Sequence, residues 1–238
     1  MNKLIDKVSV AASTALCCAV FAGSALAEET PKYGGHLRVA VAIEPTSLDP
    51  ALGRSGGDAY YFRHIFDQLV DADQSLTPDA DSSLAESWEI STDPDSITFS
   101  LREGVTFHDG TPFNAEAVKA NIERILDPET KATPRAGLAP ITSVDVLGEY
   151  QVRFNLSGPW GAGLSLLADR GGAMNSPTAI AELGDDYPWS PSGTGPFKVA
   201  EAVPGSHLHL VRNENYWGTD EDGNRLPYVD EVTLTYIK

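Results

Sequence analysis

Leu84-Ala85-Glu86-Ser87-Trp88-Glu89-Ile90 and, a few residues on, Ile97-Thr98-Phe99-Ser100-Leu101-Arg102-Glu103-Gly104-Val105-Thr106-Phe107-His108-Asp109-Gly110-Thr111-Pro112-Phe113-Asn114-Ala115 carry the clearest structural signal in the chain. Leu84 to Ile90 and Ile97 to Leu101 read as paired strands, rich in β-branched and aromatic residues. Thr92-Asp93-Pro94-Asp95 between them is turn chemistry. His108 to Pro112 is a second turn, in which Gly110 supplies backbone freedom and Pro112 stiffens the approach to a helix. Asn114 is placed to cap that helix, and Val118, Ile122, Ile125 and Leu126 recur at i, i+4, i+7 and i+8. Asp127-Pro128 stops it, because proline disfavours helical geometry in the residue before it.

Working outward, His36 to Ile43 alternates and reads as a strand ended by Glu44-Pro45. Arg54-Ser55-Gly56-Gly57 is a loop. Asp58 is placed to cap a helix reaching about Val70, with Phe62, Ile65, Phe66 and Leu69 on one face. Val144-Asp145-Val146 and Gln151 to Leu156 predict a hairpin about Gly148. Helices are expected near residues 162–168 and 177–183, with Pro177 suited to a first turn. Phe197-Lys198-Val199 and His207 to Arg212 predict another hairpin around Pro204-Gly205, and Val229 to Ile237 a last strand. The pattern is mixed α+β, without repeats.

The 238 residues include 34 acidic and 17 basic side chains, for a net charge of −17. Such acidity excludes a basic phosphate-binding face and argues against docking on an anionic bilayer. Cys17 and Cys18 are adjacent and poorly placed for an ordinary intrachain disulfide. Residues 1–27 read as a cleaved secretory signal: Lys3 and Lys7, an apolar run from Val8 to Phe21, then Ala25-Leu26-Ala27. The remainder contains no cysteine and suits the periplasm.

No catalytic set stands out. His207 and His209 share one face of their strand, but no third metal ligand is evident from sequence. His108-Asp109 reads as a hydrogen-bonded turn rather than an acid–base pair, since no nucleophile accompanies it. Gly193-Thr194-Gly195-Pro196 lacks the lysine and length of a phosphate loop. The reading is of a binding protein with no cofactor.

The block from Leu84 through Val118-Lys119-Ala120-Asn121 resembles the extracellular solute-binding proteins of family 5, receptors of ABC importers for peptides and nickel. Ser47-Leu48-Asp49-Pro50, Gly193-Thr194-Gly195-Pro196-Phe197, Asn215-Tyr216-Trp217 and Pro227-Tyr228-Val229-Asp230-Glu231-Val232 extend the resemblance, in family order, over Gly34 to Lys238.

The resemblance implies a periplasmic-binding-protein-like type II lobe, α+β or α/β, with an inserted extra subdomain. It divides the chain into residues 28–69 and 176–238 for the first lobe and 70–175 for the insertion. The second lobe is expected to be missing, as in a fragment or truncated product. It further implies a monomeric receptor that passes a peptide-like solute to an inner-membrane permease. The solute is expected to meet Gly56, Asp58, Ala59 and Tyr60 after the first strand, and Arg135. Asp58 either accepts from a ligand amine or caps its helix; Arg135 either holds a carboxylate or is plain surface. Rival readings are a receptor for a nickel complex, glutathione, sugar or opine, an exported carboxylate-based hydrolase, and a non-functional remnant. The signature block itself reads as scaffold.

Overall fold

The computed structural model describes residues 31–237; the expected signal segment 1–27, with both cysteines, lies outside the described residues. Strand β1 (His36–Val41) leads through a long loop into α1 (Asp58–Ile65), and a small ribbon follows, β2 (Asp71–Ala72) with β3 (Pro78–Asp79). The hairpin β4 (Ala85–Thr92) and β5 (Asp95–Leu101) precedes α2 (Ala115–Leu126), the single-turn α3 (Arg135–Leu138) and a second hairpin, β6 (Ile141–Gly148) with β7 (Gln151–Leu156). Helices α4 (Gly163–Leu167) and α5 (Pro177–Leu183) come next, then β8 (Phe197–Val203), β9 (His207–Arg212) and β10 (Glu231–Tyr236).

One antiparallel sheet runs β4-β5-β7-β6. Its register sets Trp88 against Phe99 and Phe99 against Val152, so apolar residues meet across strands on one face. Ile97, Phe99, Val144, Val152 and Phe154 are buried there, and α2 lays Val118, Ile122 and Ile125 onto the same core. Asn114 caps α2 as expected, its side chain accepting the Ala117 N–H. Such a cap contributes about 1 kcal/mol.

The other sheet, β1-β10-β9-β8, is assembled from both ends of the described chain. β1 pairs parallel with β10, Val39 opposite Leu234, while the remaining pairs are antiparallel. Strand alternation sends Leu208, Leu210, Val232 and Leu234 inward, where they pack with Tyr61, Phe62, Ile65 and Phe66. The opposite face carries His36, Glu231, Thr233, His207 and His209.

Helix α1 ends at Ile65 rather than near Val70, with Phe66 extended at φ −125°, ψ 145°. Phe66 to Val70 are all buried, Asp67 and Gln68 included, so the segment has no face turned toward water. They form an extended connector instead: Leu69 N–H donates to Gly172 O, while Leu84 and Ala85 N–H donate to Gln68 O and Leu69 O. α3 and the short 3₁₀ turns at Pro128–Thr130 and Gly184–Trp189 lack any periodic signal. Among the described residues, no helix is long and apolar enough to cross a membrane.

Part of the signature block packs against the later turn at Gly193–Gly195. His108 Nε2–H donates to Gly195 O (2.9 Å) and its Nδ1 accepts the Gly193 N–H (3.3 Å). Burial pushes the His108 imidazole down to about 4, so it stays neutral. Asp109 accepts from Thr111 N–H and from the hydroxyls of Thr111 and Ser176. Gly193 and Gly195 are obligatory, since a Cβ on either would lie 2.2 and 2.7 Å from Ile65 O. Two turns distant in sequence are thus clamped together beneath the end of α1.

Candidate ligand-binding site

The loop between β1 and α1, residues 42–57, is held from several sides. The Asp58 carboxylate is fully buried and accepts the Thr46 N–H (2.8 Å), the Thr46 hydroxyl (2.6 Å) and the Ser55 N–H (2.8 Å). Asp58 is therefore not the cap of its helix. Gly57 occupies that position without a side-chain bond, and the Asp58 side chain reaches back to brace the loop. With three donors upon it, the carboxylate presents no face to an incoming amine.

Further along, Asp49 is wholly buried and takes both arms of Arg124, at 2.5 and 3.3 Å. Arg170 donates to Gly53 O (2.7 Å) and Ser55 O (3.1 Å). Gly53 itself has no room for a side chain, because a Cβ would lie 2.6 Å from the Phe62 ring. These contacts hold the loop rigidly, the condition for presenting groups to a ligand without an ordering cost.

Beside the exposed Glu44, Thr46 and Arg54, the loop and the first turn of α1 present small and apolar groups. Gly56 is open, with nothing near the place of a side chain, and Ala59 is half-buried. Tyr60 is 47% exposed and Ile43 54%, unusual for large hydrophobic groups. Tyr60 stands edge-on to both Tyr61 and His64, which fixes its ring. His64 is pushed below its ordinary value by burial and so is neutral beneath that ring. A rigid aromatic beside an open glycine can stack on a ligand and let its backbone approach closely.

Arg135 begins α3 and is exposed. Its Nε donates to Leu126 O (2.8 Å), which leaves the two Nη groups without a hydrogen bond among the described residues. It borders a cavity of about 590 Å³ shared with Lys131 and Thr133. The Thr133 N–H donates to Ala51 O, joining this segment to the loop. No ion pair or hydrogen bond among the described residues links Arg135 to Gly56, Asp58, Ala59 or Tyr60.

Sequence reasoning missed Asp67, Arg124 and Arg170. Asp67 is buried, and its carboxylate accepts from Trp217 Nε1 (2.8 Å), the Thr194 hydroxyl (2.9 Å) and the Tyr216 hydroxyl (3.1 Å). Burial raises its pKa against the pull of those three donors. Asn215-Tyr216-Trp217 and Gly193-Thr194-Gly195-Pro196 were both visible as motifs, but nothing marked Asp67 as the acceptor they share.

Residues 80–238 match the family described as bacterial extracellular solute-binding proteins, family 5 Middle. The chain belongs to that family. The glutathione-binding protein GsiB of Shigella flexneri is 31% identical over 195 residues, which is 82% of this chain and 37% of that protein. The binding protein AgaA of A. tumefaciens R10, solved with agropinic acid, superposes with a TM-score of 0.76 at 30% identity, over 85% of this chain and 40% of that one. The ABC transporter-associated periplasmic binding protein DppA from Helicobacter pylori, solved with the peptide STSA, gives 0.75 at 29% identity, over 87% and 43%. The chain thus spans about two fifths of the length of these proteins. Its fold is that of periplasmic binding proteins, with the helix and sheet mixture expected from sequence.

Proposed function

We propose that this chain supplies one jaw of a periplasmic receptor that binds a peptide-like solute, leaves it chemically unaltered and hands it to the permease of an ABC importer. Family membership carries the reading, and the relatives include proteins described as binding glutathione and a peptide. The braced loop adds a local reason. Gly56 and Ala59 admit an extended backbone, Tyr60 covers it, and the free Nη groups of Arg135 suit a carboxylate.

In this reading residues 28–69 and 176–238 form the first lobe, and residues 70–175 the inserted subdomain. The sheet β1-β10-β9-β8 belongs to the former and β4-β5-β7-β6 to the latter. Residues 1–27 direct export and are removed. Solute would bias an equilibrium between open and closed lobes, the closed form being read by the permease.

The test is equilibrium titration of the receptor, expressed from its own gene, with L-dipeptides, tetrapeptides, glutathione and agropinic acid. Micromolar binding of a peptide or glutathione, weakened about tenfold by Tyr60→Ala, supports the proposal. Binding of the opine alone, or turnover of any of these compounds, overturns it.

A further inference from the structure

His36, Glu231 and His209 stand on three adjacent strands, β1, β10 and β9, on the sheet face turned away from the core. His36 Nδ1 lies 3.4 Å and His209 Nε2 3.0 Å from the same Glu231 oxygen, Oε2. The three donor atoms fall within 4.8 Å of one another, and the two imidazoles stack at 5.6 Å with planes 24° apart. We propose that this trio is a binding site for a divalent transition metal, zinc being the ion whose geometry it fits.

An ordinary histidine–carboxylate pair does not account for the arrangement. Arg38 donates from Nη2 to His36 Nδ1 at 3.0 Å, and a guanidinium can only donate. In the tautomer that accepts this bond, His36 Nδ1 carries a lone pair, not a proton. Its proton sits on Nε2, which donates to the Thr233 hydroxyl at 2.7 Å. The Nδ1 lone pair thus faces a carboxylate oxygen with no hydrogen between them, two acceptors set against each other. A cation between them removes that conflict.

The donor set also selects the ion. Two imidazole nitrogens and one carboxylate oxygen suit zinc, nickel or copper and not calcium or magnesium, which take oxygen ligands. Ligands about 2.0 Å from a tetrahedral zinc lie roughly 3.3 Å apart, close to the 3.4 and 3.0 Å that separate His36 Nδ1 and His209 Nε2 from Glu231 Oε2. The Thr233 hydroxyl, 2.7 Å from His36 Nε2, fixes the tautomer and orientation of that ring. Water would complete the coordination. His207, two residues from His209 on the same face, pairs with Glu201 and is not a ligand.

Arg38 is exposed and competes for the His36 lone pair, so the ion must turn it aside. This gives the proposal a signature that mere surface histidines would not show. The experiment is calorimetric titration of the chelator-stripped protein with zinc alone, with circular dichroism confirming that every variant is folded. One zinc per chain is expected, with micromolar affinity. His36→Ala, His209→Ala and Glu231→Gln should each weaken it at least tenfold, His207→Ala should leave it unchanged, and Arg38→Ala should tighten it. Zinc should also raise the melting temperature of the wild-type chain and not of His209→Ala. Absence of binding below millimolar zinc, or binding indifferent to the two histidines, overturns the proposal. The site is independent of the solute reading above, and failure of either leaves the other standing.

Discussion

Trp217 donates its indole N–H to the buried carboxylate of Asp67 at 2.8 Å, across 150 residues of sequence. Tyr216 and Thr194 donate to the same carboxylate, so one side chain ties the end of α1 to both later motifs. Asp67→Ala should leave the buried Thr194 hydroxyl and the half-buried Tyr216 and Trp217 donors without their acceptor. At about 1–3 kcal/mol for a buried unsatisfied group and less for donors that water can reach, the cost should be about 2–3 kcal/mol. Asp67→Asn should cost less. It keeps a carbonyl acceptor and removes the charge whose burial raises the Asp67 pKa. Urea unfolding of the two variants measures the order; a larger loss for the asparagine variant would contradict it.

His108 should make the protein sensitive to mild acid. Its folded-state pKa of about 4 lies below the ordinary value of 6.5, mainly through burial. The unfolded chain therefore takes up a proton that the folded chain refuses. The stabilisation is complete above pH 6.5 and is lost as the pH falls through 4, amounting to about 3 kcal/mol over that window. His108→Gln has nothing to titrate. Its unfolding free energy should be lower at pH 7 but flatter between pH 6.5 and 4. Parallel curves for wild type and variant would refute the assignment.

Much of this fold could be read from local pattern. The α2 cap and stop, both hairpins and the alternation of β9 depend on residues within a few positions of one another, and each lies where that chemistry puts it. The length of α1 is not legible locally, because Phe66 and Leu69 continue the helical spacing while the bonds that hold Asp67, Gln68 and Leu69 extended come from distant parts of the chain. Asp58, expected either to accept from a ligand amine or to cap its helix, braces the preceding loop instead, since its partner Thr46 lies outside the helix it begins. Asp67, Arg124 and Arg170 were invisible for the same reason: their partners lie 75 to 150 residues away. Nothing in the local pattern singles out Gly56, Ala59, Tyr60 or Arg135; only the family resemblance marks them.

Glycines separate scaffold from binding surface. A Cβ at Gly193 would meet Ile65 O at 2.2 Å, which is backbone and cannot swing away. Gly193→Ala should destabilise by about 1–3 kcal/mol or prevent folding. Gly56 has open space around it and a φ outside the left-handed region. Gly56→Ala should therefore melt like wild type while weakening solute binding, if close backbone approach there matters. A matched loss of stability in the two variants would show that the open surface at Gly56 is not as described.

Arg124 gives the sharpest test of whether loop rigidity serves binding. It neutralises Asp49, which is wholly buried, through two bonds from the last turn of α2. Arg124→Met fills much of the same space but leaves a buried carboxylate unpaired, at about 3 kcal/mol or more. Pairing it with Asp49→Asn removes the stranded charge and should recover part of that stability. If the pair serves the loop as well as the core, the single variant should lose solute affinity and the double variant regain only some of it, because the asparagine still supports Ala51 N–H through its carbonyl but has lost the bidentate clamp. Denaturant unfolding and solute titration on the same three proteins separate the effects. Full recovery of stability with affinity unchanged throughout would mean that the clamp stabilises the core and has no bearing on the ligand face.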